Sequence, residues 1–180
     1  MTRLIDNPPY PKWYYNVDTS LVTNVQVQKG EELVTITKED DVWYFGDAEK
    51  TPVDEAQLSS IFASLGKPSF QRLAESRASD IAQHGLDDPS LILFLVTKES
   101  RQAENVTLVK EYLFYLGQPT EDGKAYYGQV PVAEGIPDVF QVDAGWVEAL
   151  EAIATQPSYP HATTGEAQTS PSNTPEPEAD

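Results

Sequence analysis

The sequence predicts an α+β domain: a largely antiparallel sheet of about six to eight strands with two main helices and one short helix. Three observations predict it. Strand-like runs cluster instead of alternating strictly with helices. Short turn signals separate those runs. Two stretches carry helical periodicity between recognisable start and stop residues.

The first strands form a meander. Val22 to Val27 has apolar residues at every second or third place, and Lys29-Gly30-Glu31 punctuates it. Leu33 to Thr37 alternates, Glu39-Asp40-Asp41 turns again, and Val42-Trp43-Tyr44-Phe45 follows. A helix comes next. Thr51 reads as its N-cap, with Pro52 at the first helical position and Asp54 completing a box-like pattern. Leu58, Ile61, Phe62 and Leu65 share one face, and Gly66 with Pro68 supplies the stop.

Phe70 to Ala74 reads as a short strand, and Ser79 to His84 as roughly two helical turns. Gly85 fits a left-handed C′ position, with Ile81 and Leu86 at the accompanying contact positions. Asp87-Asp88-Pro89 turns into Leu91–Val96, which is apolar at every position and so predicts a central strand. Val106 to Leu116 is long for one strand, which predicts a bulge or kink near Lys110. Gly117 to Gly123 turns, with Asp122-Gly123 as a hairpin signal. Ala125–Val130 and Val139–Val142 read as two more strands. Asp143 is placed to cap a last helix whose face is Trp146, Val147, Leu150, Ile153 and Ala154.

The ends differ from this body. Residues 1–20 are irregular, with Pro8, Pro9 and Pro11 before Trp13, Tyr14 and Tyr15. The abrupt start reads as a boundary and not as a native leader, and the aromatic cluster either packs on the body or marks where an upstream segment was cut away. Residues 156–180 carry no Leu, Ile, Val, Phe, Trp, Lys or Arg, so they are expected to be a disordered Pro/Ser/Thr/Glu tail after a single domain over 21–155.

Composition narrows the function classes. Twelve Lys and Arg against 29 Asp and Glu give a net charge of −17. That balance argues against nucleic-acid binding, which needs clustered cations, and against docking on anionic lipid. The absence of cysteine excludes disulfides, thiolate catalysis and thiolate metal sites. No run of apolar residues has the length of a membrane span.

Several residues then resemble one family. They are DDVWYF at Asp40–Phe45, the helix TPVDEAQLSSIFASL at Thr51–Leu65, and above all DIAQHGLDDPSLILFL at Asp80–Leu95. Leu116-Gly117 and Ala125-Tyr126-Tyr127 follow in the same order. From Val22 to Ala154 the chain resembles DUF4340, a domain of unknown function. The matching positions, among them Trp43, Thr51, Gly85, Leu86, Pro89 and Gly117, are structural. The resemblance implies an extracytoplasmic (periplasmic or equivalent) module, commonly behind an N-terminal membrane anchor and encoded near ABC-transporter-type components. It implies no catalytic residue, and this chain departs from it in showing no anchor and in adding the Pro/Glu tail.

Chemistry-bearing residues are few. His84 follows Asp80 by four residues and could act as an oriented base, but a helix C-cap explains its position without chemistry. His161 lies in the tail. Glu39-Asp40-Asp41 and Asp87-Asp88 offer hard oxygen ligands without the spacing of a calcium loop. Ser59, Ser60, Ser64 and Ser79 lack a nucleophile-elbow context, and no glycine-rich phosphate loop or cofactor motif occurs. Asn105-Val106-Thr107 matches a glycosylation acceptor, a pattern frequent by chance. The aromatics, from Trp43-Tyr44-Phe45 through Tyr112, Phe114 and Tyr115 to Tyr126 and Tyr127, either pack across strands or leave an exposed strip.

The reading is therefore a non-catalytic scaffold module that contacts protein partners, including membrane transporter components. It uses a sheet face or edge, with Trp13, Tyr14 and Tyr15 as the first contact residues to test. Catalytic, cofactor and metal residues are not assigned. The alternatives are a carboxylate-dependent hydrolase, which requires acids converging in a pocket, and a cation or ligand sensor built on the acidic turns.

Overall fold

Among the described residues, eight strands form one sheet in the order β3-β2-β1-β5-β6-β7-β8-β4, and every neighbouring pair is antiparallel. The computed structural model describes residues 17–65, 70–101, 106–130 and 137–160. The strands are β1 (Val22–Lys29), β2 (Glu32–Glu39), β3 (Val42–Phe45), β4 (Phe70–Glu75), β5 (Leu91–Arg101), β6 (Val106–Pro119), β7 (Ala125–Gln129) and β8 (Val139–Asp143). The helices are α1 (Glu55–Ser64) and α2 (Ala144–Ala154). Single 3-10 turns stand at Thr19–Leu21 and Ala82–His84. This is the α+β class the strand clustering predicts.

The opening meander follows its turn residues. Gly30 has φ 58° at the first loop position, and Asp40 and Asp41 have φ 47° and 66°. Left-handed values at both central residues match the twist of a two-residue hairpin, and Asp tolerates them better than most residues. Val25, Val27, Val34, Ile36, Leu91, Leu93 and Leu95 all point to one face. The two helices lie on that face. Ile61 of α1 and its C-cap Leu65, and Trp146, Val147, Leu150, Ile153 and Ala154 of α2, complete one core with them. The Trp43 ring meets Phe62 of α1 edge to face at 5.4 Å.

Opposite the α1–α2 layer, the described residues cover the other side of the sheet at one end. Residues 76–90 cross it there, and Ala78 and Leu86 pack on Val139 with Ile81, Tyr115 and Tyr127 around them. The Ala78 N–H donates to the Pro137 carbonyl at 2.9 Å, and the Arg77 N–H to Asp138 at 2.7 Å. Consequently the two faces of β5 differ: Leu91, Leu93 and Leu95 are fully buried, whereas Ile92, Phe94 and Val96 are half-buried.

Five local expectations are corrected. The N-cap of α1 is Asp54, not Thr51. Asp54 accepts from the Gln57 N–H at 2.7 Å, while the Gln57 side chain accepts from the Asp54 N–H at 3.1 Å. Thr51 and Pro52 are drawn into the corner instead. Thr51 donates its N–H and hydroxyl to Asp47, and Pro52 bridges to Tyr44. Second, the short helix is one 3-10 turn, not two helical turns. Asp80 accepts from the Ala82 N–H, and Gly85 at φ 67° ends the turn at once. Third, β6 has no bulge near Lys110. It pairs with β5 from Leu91↔Leu116 to Arg101↔Val106 without a shift, and its irregularity falls between Leu116 and Pro119 against β7. Fourth, Asp143 occupies the N-cap position of α2 without a side-chain capping bond. Fifth, the tail's first residues pack on the body: Tyr159 is 7% exposed, its ring 5.4 Å from Phe45. An aromatic ring brings enough apolar surface to dock despite its polar neighbours. The expected Gly66–Pro68 stop lies outside the described residues.

Candidate protein-contact surface

β5 and β6 are the two longest strands, and their neighbours are shorter. β1 reaches β5 only as far as Thr97, and β7 meets β6 only from Tyr115 onward. The outer half of the hairpin therefore runs on as a two-stranded ribbon, Lys98–Arg101 against Val106–Val109. Along Val106–Leu113 no described strand pairs with β6 on its β7 side. An unpaired edge offers a row of backbone donors and acceptors to another strand.

The side chains there are also uncovered. Val106 is 43% exposed and Val109 54%. With Val42 on β3, they are the exposed large hydrophobic side chains among the described residues. Lys98, Lys110 and Glu111 are exposed around them. At the base of the ribbon, Asp18, Leu21, Thr97, Glu99, Leu108, Lys110 and Tyr112 line a cavity of about 90 Å³. Asp18 is held there by Ser20, whose side-chain and backbone hydrogen bonds keep its carboxyl below the usual range. That volume is well short of the roughly 300 Å³ at which small-molecule pockets begin.

The residues singled out by sequence fall elsewhere. Trp13, Tyr14 and Tyr15 lie outside the described residues, as do His161 and Asn105. Trp43 is in the core. Gly85, Leu86, Pro89 and Gly117 meet at one junction. The Gly85 N–H donates to Ala82 and the Leu86 N–H to Ile81, the pair of bonds that closes a helix end through a left-handed residue. Pro89 leads into β5, and Ser90 donates its hydroxyl to the Leu116 and Gly117 carbonyls at 3.1 and 2.8 Å. Gly117 lets the 3-10 turn lie directly on β6. An added Cβ would stand against the His84 carbonyl oxygen and only 2.9 Å from that of Gly85.

His84 is paired with Glu75 of β4 at 3.2 Å, not with Asp80, and its ring lies 4.4 Å from that of Tyr127. It lines neither the cavity at the ribbon base nor a second, apolar one of about 10 Å³ beside Trp146. Two acids of the β2–β3 turn are matched to lysines: Glu39 to Lys50 at 2.8 Å and Asp41 to Lys38 at 2.8 Å. Those contacts hold the Asp41 carboxyl below, and the Lys50 ammonium above, their usual ranges. Among the described residues no three His, Asp or Glu side chains converge as a metal-ligand set. No described helix is long and apolar enough to cross a membrane.

The aromatics pack. Trp43, Phe45 and Phe114 are buried, and Tyr44, Tyr112, Tyr115, Tyr126 and Tyr127 are half-buried. Burial raises the Tyr126 hydroxyl above its usual range, with Glu151 and Glu148 adding to the rise. The exposed valines of β6 were not singled out by sequence. A β-branched run reads as buried, and the only available signal was a strand longer than its neighbours.

No curated protein and no solved structure matches this chain. A family model does match, over residues 43–155, which takes in β3 to α2 with the Gly85–Gly117 junction and the whole β5–β6 hairpin. The chain belongs to the family described as domain of unknown function DUF4340.

Proposed function

We propose that this chain is a non-catalytic protein-contact module, an auxiliary or scaffold part of a membrane-associated assembly outside the cytoplasm. The observation that carries the reading is the β5–β6 ribbon, where a strand edge that no described strand pairs coincides with Val106 and Val109 exposed at 43% and 54%. Strand addition at such an edge supplies main-chain hydrogen bonds, and the alternate side chains supply selectivity. The strongly negative body keeps the chain soluble and repels anionic partners. The extracytoplasmic setting and the transporter-linked partners rest on the family resemblance of the sequence. Trp13, Tyr14 and Tyr15 stay in the proposal as a second contact element on sequence grounds.

Site-specific photocrosslinking in cells tests this. A crosslinker at Val106 is expected to yield a discrete protein adduct, and one at the exposed Glu55 of α1 none. The reading fails when neither position gives an adduct, or when both give the same smear.

A further inference from the structure

We propose that the partner at this edge is a second copy of the chain, paired antiparallel through Val106–Tyr112 of β6 about a two-fold axis at Val109. This deepens the protein-contact reading and rests on it. The resulting sheet would run without interruption through both copies.

Symmetry restricts the register. A two-fold axis perpendicular to the sheet keeps each side chain on its own face, so the axis must pass through a residue and not between two. Centring on Lys110 or Glu111 sets like charges directly opposite each other, which is unfavourable. Centring on Leu108 pairs only five residues. Centring on Val109 pairs seven. It sets Val109 against Val109 of the other copy, Leu108 against Lys110, Thr107 against Glu111 and Val106 against Tyr112. Both exposed valines are then covered, and no like charges stand opposite.

Charge is compatible at the contact. Residues 98–111 hold three Lys or Arg and three Asp or Glu, so this segment is neutral in a chain of net charge −17. The net negative charge is carried by the rest of the sequence, and salt screens the mutual repulsion of two copies over a Debye length of about 8 Å. A seven-residue edge buries less than the roughly 800 Å² per partner of a standard interface, so the association is weak and strengthens with salt.

Sedimentation velocity on the full chain, from about 10 μM to about 1 mM and at low and high NaCl, reads this directly. The weight-average mass is expected to climb from 19.9 kDa toward twice that value, and further at high salt. Val109→Lys puts two ammonium groups face to face and is expected to weaken association at least about tenfold, with an unchanged thermal midpoint. Val42→Lys, at a valine of similar exposure (45%) on the opposite part of the sheet, is expected to change nothing. A monomer at every concentration overturns the proposal, as does equal loss in both variants, which would mean unspecific apolar association. The two readings fail separately. A crosslinker at Val109 that captures a different protein, in a chain that stays monomeric, removes self-pairing and keeps the contact module. A crosslinker that captures nothing removes both.

Discussion

One hairpin contains both fully buried and half-exposed strand residues. At its inner end Leu91, Leu93 and Leu95 are wholly excluded from solvent; at its outer end Val106 and Val109 are about half exposed. Composition does not separate them, because both segments are apolar and β-favouring. Neighbours do. The inner end has β1 on one side, β7 on the other and the helix-bearing core beneath it, whereas at the outer end no described strand flanks the hairpin. A β-strand is stabilised by what flanks and covers it, so a strand that outruns its neighbours exposes edge and face together.

The largest test of this contrast substitutes the same type of residue at each end. Leu93→Ala removes buried methyl groups from a site closed on all sides and is expected to cost about 2–5 kcal/mol. Val109→Ala is expected to stay within about 0.5 kcal/mol, because solvent already reaches the side chain. Urea unfolding measures both. Similar losses at the two positions would mean that the ribbon is covered in solution.

A second test falls on the junction that closes the inner end. Gly117 lies under the His84–Gly85 backbone, so Gly117→Ala meets carbonyl oxygens and not a side chain that can swing aside. Expected destabilisation is about 1–3 kcal/mol, as for an overpacked core. Loss of amide protection should spread through residues 82–90 and leave 106–109 unaffected. Uniform loss along the hairpin would contradict separate behaviour of its two ends.

Gly117 also marks the limit of what sequence can disclose. Local signals are readable where the determinant is local: the left-handed Gly85 with its Ile81–Leu86 bond, the two-residue Asp40-Asp41 turn, the apolar face of α2. The need for glycine at 117 arises from a carbonyl more than thirty residues away and has no local trace. The N-cap of α1 moved from Thr51 to Asp54 for a related reason. Thr51 and Asp54 are both good caps, and the choice was made by Tyr44 and Asp47, which recruit Pro52 and Thr51 to the β3 corner. The candidate contact surface was the least legible feature. Its exposure depends on where β1 and β7 stop, and strand order is set by long-range pairing.

The smallest expected effect concerns the corner that leads from β3 into α1. Phe45 donates to the Thr51 carbonyl at 2.8 Å and Val53 to the Trp43 carbonyl at 2.9 Å, while Asp47 receives the Thr51 N–H and hydroxyl at 2.8 and 2.6 Å. Burial pushes the Asp47 carboxyl up, but the hydrogen bonds from Thr51 together outweigh it and hold the group below its ordinary value. A carboxyl depressed in the folded state contributes stability above its unfolded value of about 3.9 and loses that contribution as pH falls through the folded value. Because the group is close to solvent, screening keeps the contribution under about 1 kcal/mol. Asp47→Asn retains an acceptor for the Thr51 N–H and a donor for its hydroxyl but cannot titrate. Unfolding at neutral pH is therefore expected to be nearly unchanged, and the fall in stability between about pH 5 and pH 3 to be shallower than in the parent chain. An unaltered acid limb would show that the corner is held by its backbone bonds and the Asp54 capping box alone. The ribbon, which has no part in this corner, should keep its association in the Asp47→Asn variant at neutral pH.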